Sequence, residues 1–396
     1  MVIKDKAILL IALSQTTVWA GLYYLFPALL LTWEEDFGWG KSDLTIAITG
    51  AVLMSAIVSP AAGKLIDAGK GPFTMYASAT LGGIGLLGVA SVQELWQFYL
   101  AWGFIGVMLG GCLYDPCFSL ITRSRGGNAK NAIVSVTLIA GFASSISFPA
   151  VHFLTDVFGW RIAVQVFGGV VVFIGAPLAW RGASLIEGEG LREVVRVVDA
   201  VVPRHFLLHP AFWLLAIGFS LAGMLHGMTL HHLLPILSDR NIDPGMAIVV
   251  ASLIGPMQVL GRLIIMKSER IISVHGLALS CFITMAGAIV LLFIAPSLPI
   301  SLFGFVFLFG VGYGTVSIIR PLTVRIILGQ GNFGAKSGFA SMIYLVGAAI
   351  APYIGAVLWS TGGYDLVLYV AVFLALSGLL FYSIARKVAR KNWPEK

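Results

Sequence analysis

The chain has 396 residues, of which 58% are hydrophobic and only 11% are charged, and its formal net charge is +7. Soluble domains carry roughly 25% charged residues, so this composition excludes an ordinary soluble protein. Apolar runs of about twenty residues, each long enough to cross a bilayer as a helix, recur along the whole length. They predict an all-α membrane protein with twelve transmembrane helices, at 7–32, 43–66, 73–92, 96–122, 131–155, 161–181, 210–236, 244–266, 271–295, 299–324, 336–360 and 364–386.

Basic residues are distributed unevenly among the connections between these predicted helices. If the N-terminus is cytoplasmic, most of the 25 Lys and Arg residues fall on the cytoplasmic side. The positive-inside rule therefore predicts that both termini are cytoplasmic. The same bias accounts for the positive net charge without nucleic acid as a partner. Four tryptophans near helix ends are expected to anchor the chain at the membrane interfaces: Trp33, Trp39, Trp96 and Trp359.

The longest hydrophilic interruption, residues 182–209, divides the predicted helices six and six. We expect an N-terminal six-helix bundle over 1–181, a cytoplasmic linker over 182–209 and a C-terminal six-helix bundle over 210–396. Apolar residues recur at helical spacing within the linker and predict a short helix on the cytoplasmic surface: Leu191, Val194, Val195 and Val198.

Three charged residues fall inside long apolar runs: Asp115, Arg262 and Arg320. A charge in the hydrocarbon core costs about 2.5–3.5 kcal/mol even on insertion scales, so these residues predict a polar cavity or mutual pairing. Each could instead be structural, with Arg262 bonding helix carbonyls near the cytoplasmic end and Asp115 forming a static bridge to Arg320.

The fourth and tenth predicted helices share a pattern that indicates an internal repeat. Each is rich in glycine and then reaches a charge–proline pair, Asp115-Pro116 in the fourth and Arg320-Pro321 in the tenth. Glycine lets helices approach closely, and proline in a membrane helix leaves a carbonyl free. Two six-helix halves related by an axis along the membrane normal form a transporter plan, with the substrate site between them. Helices four and ten are then expected to face each other across a central cavity.

The connection between the second and third predicted helices reads Gly63-Lys64-Leu65-Ile66-Asp67-Ala68-Gly69-Lys70-Gly71. This segment resembles the G-x-L-x-D-x-x-G signature of the major facilitator superfamily, with alanine where arginine is usual. The resemblance implies the major facilitator fold and a conformational latch at the cytoplasmic ends of the helices, formed by Gly63, Asp67, Lys70 and Gly71. We expect Asp67 to cap a helix N-terminus and to pair with a neighbouring base.

A narrower resemblance is to bacterial members near the monocarboxylate transporter family. It rests on Leu113–Pro116, 141–144, 158–161 and, above all, the segment from Gly255 to Arg262 in the eighth predicted helix. The resemblance implies that Arg262 holds a substrate carboxylate. Gln258 stands one turn earlier, where that family has an acidic residue, and the first helix lacks the buried lysine of that family.

Further polar and aromatic residues are candidates for the wall of the cavity. Trp19 and Tyr23 share a stripe of the first helix with Gln15, and Tyr114 and Tyr313 lie in the fourth and tenth helices. His226 lies near the middle of the seventh helix, and an imidazole can relay protons near neutral pH. Each of these side chains could equally be a packing residue. No metal site is expected, because the adjacent His231 and His232 point to different faces of one helix.

These observations and the resemblance together predict a secondary active transporter that moves a small, monocarboxylate-like organic anion across the cytoplasmic membrane by alternating access, as a proton-coupled symporter. Arg262, Arg320, Gln258, Tyr114, Tyr313, Trp19, Tyr23 and His226 are the expected substrate-binding residues, and Asp115, Arg320 and His226 the proton-coupling or gating residues. A proton-driven efflux antiporter for amphiphilic compounds and a non-transporting receptor are the alternatives. No enzyme motif such as GxSxG, HExxH or a phosphate-binding loop is present, and we expect no cofactor beyond the proton gradient. The expected partners are the substrate, protons and lipid of a bacterial inner membrane, and the expected state is a monomer.

Overall fold

The computed structural model describes residues 5–125, 129–190, 204–268, 272–329 and 333–392. These residues form ten helices that are long and apolar enough to cross a membrane. Two of the ten contain a non-helical glycine, Gly69 in one and the Gly362–Gly363 pair in the other, so each divides into two helices. The described part of the chain therefore has twelve membrane-crossing helices, as the sequence predicts.

The twelve helices fall into two compact units, Met1–Val197 and Val198–Lys396. The first unit contains α1 Lys6–Phe37, α2 Lys41–Leu65, α3 Gly71–Ala90, α4 Leu95–Arg125, α5 Asn131–Phe158 and α6 Trp160–Gly188. The second contains α7 Pro210–His231, α8 Pro244–Ser268, α9 Val274–Phe293, α10 Ser301–Ile327, α11 333–361 and α12 364–392. Helical structure continues two residues past the apolar span of α6, to Gly190, whereas the sequence predicted that the sixth helix ends at 181. The expected surface helix at 191–198 lies outside the described residues.

The two units pack their helices in the same order. In the first unit α4 lies against α2 and α3, and α1 lies against α5 and α6. In the second unit α10 lies against α8 and α9, and α7 lies against α11 and α12. This correspondence confirms the internal repeat that the fourth and tenth helices predicted.

Glycines make the contacts of α4 with α2 and of α10 with α8 unusually close. A Cβ atom at Gly106 would collide with the backbone of Ala51, and one at Gly314 would collide with the backbone of Gln258. Only hydrogen side chains permit such contact between membrane helices. The same kind of approach recurs in both units, so the glycine-rich runs of α4 and α10 set the helix spacing.

Two π-helical turns lie side by side in the first unit, at Ala20–Tyr24 in α1 and Val171–Gly175 in α6. The Ser14 hydroxyl donates to the carbonyl of Gly175 at 2.8 Å, and the Ser147 hydroxyl donates to the carbonyl of Ala20 at 2.9 Å. Serine hydroxyls therefore bind carbonyls at the edges of both turns. The extra residue of a π turn often marks a functional position, and here it lies beside Trp19 and Tyr23.

Aromatic side chains fill the first unit near the C-terminal end of α1. Trp33 contacts Phe26 and Trp102 edge to face, with ring centroids 5.3 Å and 6.1 Å apart. Trp33 is completely buried, whereas Trp96 is 60% exposed. The expectation that Trp33 is an interfacial anchor is therefore wrong. Its indole packs in the core because rings of its own helix and of α4 and α6 surround it.

Candidate functional site

Four polar and aromatic side chains of the second unit form a continuous chain of contacts. His226 on α7 stacks on Tyr313 of α10, with ring centroids 3.2 Å apart and an interplanar angle of 6°. The Tyr313 hydroxyl lies 2.7 Å from the hydroxyl of Tyr344 on α11. The Arg320 guanidinium lies over the Tyr344 ring, 4.1 Å from its centroid, in a cation–π contact. These residues bring α7, α10 and α11 together at one place.

Small residues create the space that this cluster occupies. A Cβ atom at Gly223 on α7 would lie 2.7 Å from the ring of Tyr344, closer than carbon atoms approach. Gly312 and Gly314 flank Tyr313 and let α10 lie against α9 and α8, respectively. The sequence therefore positions the aromatic rings through the glycines opposite and beside them.

Arg262 and Gln258 on α8 adjoin the same cluster. The Nε atom of Arg262 donates to the carbonyl of Gly314 at 3.3 Å, next to Tyr313 in sequence. Arg262 and Arg320 both interact electrostatically with the Tyr313 hydroxyl. Arg262 is 6% exposed and Gln258 is 5% exposed. The structure thus brings together five of the residues that the sequence singled out, and it adds Tyr344 to them.

Three nitrogen atoms of this cluster are buried without a hydrogen-bond partner: His226 Nε2, Gln258 Nε2 and Arg320 Nη1. Leaving a buried donor unsatisfied costs about 1–3 kcal/mol, and more if the group is charged. Three such atoms in one cluster are therefore expected to form hydrogen bonds with a bound molecule. Guanidinium and amide groups donate hydrogen bonds, so this part of the protein can bind an oxyanion.

The predicted residues of the first unit form a second cluster, made of aromatic rings. Trp19 lies 4.9 Å from Tyr23 and 4.9 Å from Tyr114, measured between ring centroids. Tyr114 in turn stacks on Phe118 at 4.9 Å. Trp19 Nε1 is buried without a hydrogen-bond partner. Gln15, on the same helix, is fully buried and makes a helix–helix contact instead of lining a surface.

Pro116 explains the shape of α4 beside this aromatic cluster. Proline has no amide hydrogen, so Pro116 cannot bond to the carbonyl of Cys112 four residues earlier. The helix is interrupted at Leu113, whose backbone is extended. Gln15 Nε2 donates to the Cys112 carbonyl at 2.8 Å and satisfies it. The buried glutamine of α1 therefore compensates for the proline of α4.

Asp115 lies in the first turn of the helical segment that restarts at Tyr114. A carboxylate is stabilised at a helix N-terminus by the peptide dipoles. Asp115 is exposed, and its carboxylate accepts a hydrogen bond from Ser59 at 3.3 Å. The interruption at Leu113 therefore turns a position in the middle of an apolar run into a helix start, and the polar cavity expected around Asp115 stays a prediction.

The turn between α2 and α3 is held by residues that the sequence did not suggest. Arg123 Nη1, near the end of α4, donates to the carbonyls of Ile66 at 2.5 Å and Asp67 at 2.9 Å. Arg123 also forms an ion pair with Glu187 at the end of α6. Gly69 adopts a left-handed conformation, φ +79°, that closes the turn. Both Arg123 and Glu187 are ordinary charges at helix ends, so their pairing has no signal in a single sequence.

The expected role of Asp67 as a helix cap is wrong. The residue at the cap position of α3 is Lys70, and no side chain makes a capping hydrogen bond there. Pro72 in the first turn of α3 needs no amide partner, which reduces the need for a cap. Asp67 and Lys70 are both exposed, and Gly63 is half-buried.

The remaining histidines of α5 and α7 are engaged in local contacts. His231 Nδ1 lies 2.8 Å from the carbonyl of Gly227, and His232 Nε2 lies 2.8 Å from the carbonyl of Pro352. His152 pairs with Asp156 one turn away, at 3.3 Å. No group of three or more metal-ligating side chains occurs among the described residues.

The helix arrangement and the polar clusters define a membrane transporter. The family model of the Major Facilitator Superfamily matches residues 11–327, and the chain belongs to this superfamily. Its fold resembles the crystal structures of a bacterial homologue of the human lysosomal transporter Spinster. For the inward-facing, unoccupied form the TM-score is 0.74 at 14% identity, and the match covers 98% of each chain. For the inward-facing, occupied form the TM-score is 0.65 at 14% identity, and the match covers 97% of this chain and 95% of the other.

Curated relatives match at low identity. Monocarboxylate transporter 11 of Mus musculus is 24% identical over 218 residues, which are 55% of this chain and 48% of that protein. An uncharacterized 38 kDa protein in the 23S RNA operon of Thermoproteus tenax is 29% identical over 188 residues, covering 47% of this chain and 46% of that one. The chain therefore spans about half the length of the curated relatives it matches.

Proposed function

We propose that this protein is a secondary active transporter that moves a small organic anion across the membrane by alternating access. The observation that carries the proposal is the cluster around Tyr313, where Arg262 and Arg320 supply positive charge within apolar helices. Arg320 Nη1 and Gln258 Nε2 are buried donors with no hydrogen-bond partner, and an anion would provide their acceptors. The similarity to monocarboxylate transporter 11 supports a carboxylate as the anion.

Within this proposal Arg262 binds a substrate carboxylate through its guanidinium. A guanidinium stays charged in a site of low polarity and forms paired hydrogen bonds with a carboxylate. The Nε contact with Gly314 orients the group toward α10. Tyr313, Gln258 and His226 then complete the polar surface around the anion, and Tyr344 holds Tyr313 in place.

We propose that transport is coupled to proton symport, with Asp115 and His226 as the groups that take up the proton. The Asp115 carboxylate is exposed, so a proton can reach it, and it accepts a hydrogen bond from the Ser59 hydroxyl at 3.3 Å. His226 presents a buried ring nitrogen that has no hydrogen-bond partner and can accept a proton when the anion binds. Arg320 would act as a gate: its guanidinium would bind the anion in one conformational state of the transporter and contact the Tyr344 ring in another.

Binding of the anion is tested by thermal unfolding of the purified protein in detergent. Small carboxylates and sulfonates should raise the unfolding temperature, because a ligand that binds only the folded state stabilises it. Arg262→Gln should abolish that rise. Lys267→Gln, which removes an exposed charge from the last turn of the same helix, should leave it unchanged. No stabilisation of the wild type by any of these anions would contradict the proposal.

A proton-driven efflux antiporter for amphiphilic compounds is a second candidate. The aromatic cluster of Trp19, Tyr23 and Tyr114 favours it, because such rings bind flat apolar molecules and the Trp19 indole has a hydrogen to donate. Acid-dependent extrusion of a fluorescent lipophilic cation from proteoliposomes would support this function, and acid-stimulated anion uptake would support the first.

We also propose that this protein lies in a bacterial inner membrane, acts as a monomer and has both termini in the cytoplasm. Most basic residues of the connections would then face the cytoplasm, in line with the positive-inside rule. The turn of Gly63, Asp67, Lys70 and Gly71 would lie on that side and act as a conformational latch. Labelling of single cysteines introduced at Asp67 and at Asp43 with a membrane-impermeant reagent in spheroplasts tests the orientation: only the second should react.

A further inference from the structure

Arg320 carries a positive charge that the described residues of its own unit do not neutralise. Its guanidinium lies over the neutral ring of Tyr344, and its Nη1 atom is buried without an acceptor. The described carboxylates of this unit, Asp239, Asp243 and Asp365, all lie at helix ends, and Asp365 pairs with Arg240 at 2.5 Å. A half-buried guanidinium with one buried, unsatisfied nitrogen and no acidic partner is costly, so a molecule that brings negative charge to it would be stabilised there.

Arg262 and Arg320 both adjoin the cluster around Tyr313: Arg262 donates to the Gly314 carbonyl, and Arg320 lies over the Tyr344 ring. The Arg262 Nε atom contacts the carbonyl of Gly314, and Arg320 follows Gly314 by six residues, about 9 Å along the helix axis. Helical side chains lean toward the N-terminus, which brings the Arg320 guanidinium back toward Tyr313. The Tyr344 ring beneath the Arg320 guanidinium carries the hydroxyl that contacts Tyr313, so this hydroxyl pair lies beside Arg320.

We infer that Arg320 is a second anion-binding residue of this site and that the substrate is a short dicarboxylate. One carboxylate binds Arg262 and the other binds Arg320, while the unsatisfied nitrogens of Gln258 and His226 contact the carboxylate oxygens between them. Because only about 9 Å of helix axis separates Arg320 from Gly314, which Arg262 contacts, we infer a short chain of about three to five carbons. This inference rests on the proposed function, since it assigns the substrate class of the same site.

The test compares acids that differ only in the second carboxylate. Dissociation constants of the full-length protein in detergent are measured at pH 7 by titration calorimetry for malonate, succinate and glutarate, and for propionate, butyrate and valerate. The best dicarboxylate should bind at least tenfold more tightly than the monocarboxylate of equal length, since each good charge-assisted contact contributes on the order of tenfold in affinity.

Variants of Arg320 assign the difference to that residue. Arg320→Gln should bring the dicarboxylate to within about twofold of its matched monocarboxylate, because only one guanidinium then remains to bind a carboxylate. Arg320→Lys keeps the charge but loses the planar fork, so it should retain part of the preference and confirm that the site still folds. Arg325→Gln is the matched control: it removes an exposed charge from the same helix and should bind like the wild type.

The outcomes separate this inference from the proposed function. Equal binding of matched dicarboxylates and monocarboxylates by the wild type would overturn the dicarboxylate assignment and leave an anion site at Arg262. A dicarboxylate preference that survives in Arg320→Gln would overturn the role of Arg320. If the folded protein binds neither series of acids, the proposal that its substrate is a small organic anion is overturned.

Discussion

Replacement of Gly314 by alanine tests the link between helix packing and the site. An added Cβ atom would lie 2.6 Å from the Cα atom of Gln258 and 2.8 Å from its carbonyl carbon. Carbon atoms in contact prefer about 3.5–4.0 Å, so α8 and α10 would have to separate by about 1 Å. Overpacking of this kind costs about 1–3 kcal/mol. The same displacement would draw Arg262 away from the Gly314 carbonyl that orients it.

Thermal unfolding in detergent, followed by intrinsic fluorescence, measures the first effect. At about 2–4 °C per kcal/mol for a unit of this size, Gly314→Ala should lower the unfolding temperature by about 2–12 °C. It should also weaken the stabilisation by carboxylates. Gly338→Ala is the control, because nothing lies within 4 Å of its added Cβ. Alanine favours a helix over glycine by about 0.5–1 kcal/mol, so this control should unfold at the same or a higher temperature. If both variants shift equally, α8 and α10 are not in close contact at Gly314.

Three further predictions follow from contacts in the two units. Tyr344→Phe removes the hydroxyl partner of Tyr313 and should destabilise the protein by about 1–3 kcal/mol. Tyr353→Phe, on the exposed side of the same helix, is the control and should not destabilise it. Equal unfolding temperatures of the two variants would contradict the hydrogen bond. Glu187→Gln breaks the ion pair with Arg123 and should lower the unfolding temperature at low ionic strength, with a smaller difference in high salt. Arg125 donates hydrogen bonds to Asp5 and lowers the pKa of that carboxyl below its ordinary 3.8. The stabilisation from this pair is therefore present above that value and is lost as the pH falls through the lowered pKa, so the gap in unfolding temperature between wild type and Asp5→Asn should close in acid.

The number of helices and the internal repeat could be predicted from the sequence, because both depend on the length of apolar runs and on glycine spacing. The ends of the helices were predicted to within a few residues at most positions. The interruption of α4 at Leu113 was not predicted, although Pro116 removes the hydrogen bond to Cys112 and gives its physical cause. The π turns of α1 and α6 have no sequence pattern of their own.

The candidate site was predictable where a charge or an imidazole stands out in an apolar run. Arg262, Arg320 and His226 were found in this way, and the structure places them around Tyr313. Tyr344 was missed because a tyrosine among apolar residues gives no signal until Gly223 and Tyr313 are seen beside it. The position of Asp115 at a helix start could not be predicted, because its apolar run indicates one continuous helix.

Proteoliposome flux with an imposed pH gradient tests most directly the claim that this protein moves small organic anions with protons. With acid outside, wild-type proteoliposomes should accumulate a labelled short-chain carboxylate, and a protonophore should abolish the accumulation. Arg262→Gln should show no uptake above empty liposomes, while Lys267→Gln should match the wild type. Uptake by Arg262→Gln at the wild-type rate, or no uptake by a folded wild-type protein with any of the six carboxylates, would contradict the account.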